Sequence, residues 1–175
     1  MKNPANVAAV AITLAVLAAC APEVKEDPAV DAMRAAAESE SQMLSAVSAW
    51  FEAWDSGNTD NLAEIALADY QRTAPDQSVD SLDEMRVFIA QVHAAYPDYR
   101  LTNDAAAAGP DGAFVQWTVT GTDTGSEDST GKSLKITGFS RYTFVDGKIA
   151  SELVVFDTGS VLAQLASEEM PHMAE

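Results

Sequence analysis

The chain has one cysteine, Cys20, and two histidines, His93 and His172, among 175 residues. A single cysteine excludes an intramolecular disulfide. With so few thiols and imidazoles no zinc site is expected, and no cofactor is expected either. Basic residues are also scarce: 10 Lys and Arg stand against 27 Asp and Glu, for a formal charge of −17. Such a surface repels phosphate backbones and anionic head groups, which excludes nucleic acid as a partner and a basic patch as a membrane contact. There is no Gly-x-Ser-x-Gly elbow and no phosphate-binding glycine loop. No apolar run reaches the roughly 20 residues of a membrane-spanning helix.

What is present begins at the N-terminus. Lys2 supplies one positive charge, Val7 to Leu17 is apolar, and the run ends Leu17-Ala18-Ala19-Cys20. That is the layout of a secretory signal with small residues before the cut. Leu-Ala-Ala-Cys resembles the bacterial lipobox, which implies a signal peptide over 1–19 and diacylglycerol on Cys20. The expected location is the cell envelope, held by lipid. Ala21 rather than aspartate after the cysteine favours the outer membrane in an organism with two.

Residues 20–45 read as a tether and helical extension, 46–166 as one domain, and 167–175 as an acidic tail. With 47% hydrophobic residues the chain can build a core. From Pro28 an apolar stripe through Met33, Leu44, Val47, Phe51 and Trp54 predicts a long helix, stopped by Asp55-Ser56-Gly57. A short helix is expected over Asp60 to Ala68, capped by Asn58 or Thr59. Ser81 and Glu84 form a capping box ahead of an apolar face from Leu82 to Tyr96, with Pro97 beyond. His93 falls beside that face and is expected to meet solvent. Asp76, Asp80, Asp83 and Glu84 cluster at the helix start, a dipole-favourable arrangement and a weak candidate for calcium.

After Pro97 the period becomes two. Tyr99–Ala106, Ala113–Thr124, Leu134–Val145 and Lys148–Phe156 predict four strands, with Asp146-Gly147 as a tight hairpin turn. Helices followed by a strand meander imply an α+β domain: a curved antiparallel sheet with helices on its concave face. A short helix around Val161 to Leu165 closes it. If the hairpin register runs on unbroken from Val145 opposite Lys148, Arg141 faces Glu152 on the outer side with Phe139, Val154 and Phe156. Ser140, Tyr142, Ser151, Leu153 and Asp157 then look inward, toward a pocket. Trp117 is a further wall candidate, although a mid-strand tryptophan is more often core.

Several segments, in unbroken order from about Ala46 to Leu165, resemble SnoaL-like proteins. They include Ser48-Ala-Trp-Phe-Glu-Ala-Trp-Asp-Ser-Gly57, Tyr96-Pro-Asp-Tyr-Arg-Leu101, Val115-Gln-Trp-Thr-Val-Thr-Gly-Thr122, Tyr142-Thr-Phe-Val-Asp-Gly-Lys-Ile149 and Val154-Val-Phe-Asp157. That family of polyketide and ester cyclases belongs to the nuclear transport factor two superfamily. The resemblance implies a cone with an apolar cavity, a homodimer through the outer sheet face, and Asp157 as acid/base. This chain has Thr73 and Asp123 where related sequences commonly have histidine, and Leu153 where they have tryptophan. Three readings follow. The cone binds a small apolar molecule, or Asp157 serves an acid/base cyclase or isomerase, or the sheet face binds a protein beside a vestigial pocket. Asp157 has a simpler alternative role, as the cap of the closing helix.

Overall fold

The computed structural model describes residues 27–166. Cys20, the signal segment, His172 and the acidic tail lie outside them. Helix α1 (Pro28–Ser56) starts where Asp27 accepts from the Ala29 N–H, with Pro28 in the first turn, and stops at Gly57, whose φ of 72° suits only glycine well. Its first dozen residues are all exposed, Val30 and Met33 included. Its second half buries Val47, Trp50, Phe51, Ala53 and Trp54.

The expected short helix is only one turn, α2 (Leu62–Ile65), and the chain then runs into a strand, β1 (Ala66–Thr73). Helix α3 (Leu82–Ala95) is capped by Ser81, which accepts from the Glu84 N–H, while Glu84 reaches back to the N–H of Asp80, one residue before the cap. Strands β2 (Arg100–Gly109), β3 (Gly112–Thr122), β4 (Ser133–Val145) and β5 (Lys148–Phe156) follow, then helix α4 (Thr158–Leu165). The curved, open sheet has the order β1-β5-β4-β3-β2. All pairs are antiparallel except β1 with β5, which are parallel. The α+β architecture agrees with the sequence reading, and β1 is the strand it lacked.

The β4–β5 register departs from the expected one. Asp146 and Gly147, with φ of 51° and 78°, make the tight turn, and Val145 and Phe144 pair with Lys148 and Ile149. Then Ala150 is skipped, and Thr143 pairs with Ser151 and Tyr142 with Glu152. One extra residue turns every later side chain of β5 over. Glu152, Val154 and Phe156 go inward, while Leu153 and Val155 face out, 48% and 58% exposed. The Arg141–Glu152 pair does not form. Arg141 lies opposite Leu153, with its guanidinium 5.9 Å from the Phe114 ring centre and a bond to the Asp111 carbonyl.

Candidate functional site

The concave face of the sheet, α1, α3 and α4 enclose a mostly apolar cavity of about 390 Å³. Its wall includes Phe51 and Trp54 from α1, Phe88 and Val92 from α3, and Val119, Leu134, Ile136, Val154 and Phe156 from the sheet. Val161 and Leu162 of α4 stand at its edge, Leu162 70% exposed.

Two carboxylates, Asp76 and Glu152, belong to this wall, and Glu152 is the buried one. Glu152 is only 6% exposed and accepts three hydroxyl hydrogen bonds. Tyr142 and Ser140 donate to Oε1 at 2.8 and 2.7 Å, and Tyr70 donates to Oε2 at 2.7 Å. Ser140 in turn accepts from the Trp117 indole at 3.0 Å. Every donor points toward Glu152, so the group is held as an acceptor and has roughly one of its four lone-pair positions left. Burial holds the Tyr70 and Tyr142 phenols well above their ordinary range, and the Glu152 charge adds to the effect. Both therefore remain donors.

Beside Glu152, across the parallel β1–β5 pair, lies Arg72. It is 6% exposed, sits 5.0 Å over the Phe88 ring, pairs with Asp76 at 3.1 Å and donates to the Gln77 carbonyl. The strand pattern explains why two polar residues come in: on β1, Tyr70 and Arg72 share one face, and Asp69, Gln71 and Thr73 share the other.

The sequence-expected residues divide. Trp117, Ser140 and Tyr142 line the cavity. Thr73 and Leu153 are exposed, and Ser151 is half-buried and bonded to Thr143 at 2.6 Å. Asp123 accepts from the Thr130 N–H and hydroxyl, both at 2.8 Å, which closes the β3–β4 loop and holds its carboxyl below the usual range. None of these four lines the cavity. Asp157 is exposed and accepts from the Ser160 N–H at 3.2 Å, the helix-cap geometry, and it does not line the cavity either. The shift at Ala150 is the cause, since the unbroken register alone had turned Asp157 and Leu153 inward.

His93 is half-buried and donates from Nε2 to the Trp54 carbonyl at 2.7 Å, which pins α3 to the end of α1. Asp76 and Asp83 pair with Arg72 and Arg86. Glu152, Arg72 and Tyr70 were not found from sequence. The only hint of Glu152 is a charge set among apolar residues in a strand.

A curved five-stranded sheet over a mostly apolar cavity, with a buried, hydrogen-bonded carboxylate in its wall, has the features by which pockets are recognised. The SnoaL-like domain model matches residues 47–152, and the chain belongs to that family. Among solved structures it is similar to a protein from Jannaschia sp. CCS1 proposed to be a SnoaL-like polyketide cyclase. That match has a TM-score of 0.65 and 17% identity, covering 73% of this chain and 94% of that one. TsrD from Streptomyces laurentii gives 0.64 and 19%, over 72% and 96%. AclR from Streptomyces galilaeus, proposed to be a hydroxylase, gives 0.62 and 21%, over 76% and 87%. No curated protein matches the sequence. These likenesses show the fold, and a fold hosts many reactions.

Proposed function

We propose that the chain is an envelope lipoprotein that holds one small, mostly apolar molecule in its cone. The cavity carries this reading: its wall is chiefly aromatic and aliphatic, and its buried carboxylate is already satisfied by three of the protein's own hydroxyls. At roughly 30 Å³ per heavy atom, as in a liquid, the space suits about a dozen heavy atoms. Equilibrium dialysis of the protein against 2-isopropenylnaphthalene, a neutral probe of that size, tests it. Saturation at one molecule per chain is expected.

A second reading, an acid/base enzyme, draws support from the same carboxylate. Glu152, not Asp157, is then the group that exchanges a proton with a bound substrate through its remaining lone pair. Asp157 keeps the capping role in either case.

Attachment to the membrane is proposed through Cys20. Cys20→Ser is expected to leave the precursor uncleaved by the lipoprotein peptidase and to move the protein out of the detergent phase. Unchanged partitioning contradicts a lipid anchor.

A homodimer is proposed through the outer sheet face, and its residues are revised by the observed register. Phe114, Phe139, Leu153 and Val155, each 48–58% exposed, replace the expected set of Phe139, Val154 and Phe156. Phe139→Glu is expected to convert a dimer at tens of micromolar into a monomer, as read by sedimentation of the protein made without acylation. A wild-type monomer at that concentration contradicts the dimer.

A further inference from the structure

The cavity has a second polar position that the Glu152 cluster does not use. Tyr99, just before β2, lines the cavity and is 6% exposed. Its ring packs 6.1 Å from Trp54 and 5.2 Å from His93, centre to centre. Its hydroxyl has no hydrogen-bond partner among the described residues. Nor is the hydroxyl sealed in: the Trp50 indole N–H is the one fully buried side-chain polar atom without a partner in that set. An accessible hydroxyl without a protein partner is free to take water, or a ligand atom in the water's place.

Arg72 belongs to the same corner. Its guanidinium lies over Phe88, and Phe88 meets Trp54 edge-on at 5.8 Å, on the ring that Tyr99 also packs against. Gln77 and Asp76 each accept one of its five N–H groups, Asp76 adds an ion-pair contact at 3.1 Å, and the remaining N–H groups have no hydrogen-bond acceptor among the described residues. Burial holds the Tyr99 phenol far above its ordinary range, and the Arg72 charge is the largest influence opposing that shift. The phenol therefore stays a donor at neutral pH, within electrostatic reach of the guanidinium.

Resting on the small-molecule reading, we propose that Tyr99, supported by Arg72, is a subsite for a hydrogen-bond acceptor, a carbonyl or ether oxygen, on an uncharged ligand. The charges in the cavity decide against an anion. Arg72 is neutralised by Asp76, and Glu152 adds a second negative group to the same wall. A ligand carboxylate would meet that excess in a site that water screens poorly. An uncharged acceptor gains the phenol and guanidinium donors without the repulsion. The apolar remainder of the ligand lies against Trp117, Val119 and Ile136.

The test compares three probes by equilibrium dialysis against full-length protein and its Tyr99→Phe variant. They are 2-acetylnaphthalene, 2-isopropenylnaphthalene (a methylene in place of the carbonyl oxygen), and 2-naphthoate. Tyr99→Phe is expected to weaken the ketone by roughly threefold to tenfold, the worth of one net hydrogen bond, and to leave the alkene within about twofold. The alkene also serves as the control for folding. Naphthoate is expected to bind the wild type at least about tenfold more weakly than the ketone. An equal effect of Tyr99→Phe on ketone and alkene, or none on either, overturns the subsite and leaves cavity binding standing. Naphthoate binding tighter than the ketone overturns the uncharged class. Failure of every probe to bind the wild type overturns the subsite together with the reading it rests on.

Discussion

Glu152→Ala is expected to lose roughly 3–5 kcal/mol of folding stability, a fall in melting temperature on the order of 10–20 °C. The carboxylate is the common acceptor for Tyr70, Tyr142 and Ser140, which are 0%, 1% and 3% exposed. Alanine leaves three buried hydroxyls without their acceptor, at a cost of about 1–3 kcal/mol each before relaxation, and opens a hole beside the cavity. Removing a buried charge returns part of this, because its desolvation cost disappears as well. Glu152→Gln keeps the shape and one acceptor oxygen, and the hydroxyls can rotate to accept from the new amide. Its loss is expected to be smaller, about 1–2 kcal/mol. Urea and thermal melts of both variants check the order. An alanine variant within about 1 kcal/mol of wild type would falsify the cluster as a stabilising unit.

Gly138→Ala is expected to cost roughly 2–4 kcal/mol, although only a methyl group is added. Gly138 is opposite Trp117 on β3, and the indole crosses over it to reach Ser140, two residues along β4. A Cβ at Gly138 would fall 2.3 Å from Trp117 Cζ2 and 2.8 Å from the Val155 carbonyl oxygen. The ring must move, which breaks its bond to Ser140 and disturbs the last link of the Glu152 cluster. The closest part of the clash belongs to the Trp117 ring, and a double-mutant cycle separates it from the Val155 backbone contact: in a Trp117→Leu background, Gly138→Ala should cost at least about 1 kcal/mol less. Additive losses would place the cost in the backbone instead.

How much of this was legible in the sequence depended on the strength of each local signal. The Ser81 cap, the Gly57 stop and the Asp146-Gly147 turn each rest on chemistry within a few residues, and all three form, with Glu84 reaching back to Asp80 rather than to Ser81. Strand β1 carries no such signal. Ala66-Leu-Ala-Asp is good helix sequence, and its pairing with β5, far away in the chain, overrides local preference. Missing β1 hid Tyr70 and Arg72. The bulge at Ala150 was hidden for another reason: Leu153-Val-Val-Phe156 is apolar throughout, so alternation cannot say which side is buried. The opposite charges of Arg141 and Glu152 then favoured the wrong register. That one-residue shift explains both the overvalued Asp157 and the missed Glu152.

The central claim, that a small apolar molecule enters the cone, is tested most directly by methyl NMR of Ile, Leu and Val side chains during titration with 2-isopropenylnaphthalene. Ring-current shifts should concentrate on Val119, Leu134, Ile136 and Val154, which line the cavity. Leu153 and Val155, exposed on the outer sheet face, should stay in place. Shifts confined to Leu153 and Val155, or none at the four cavity residues at saturating probe, would contradict the account.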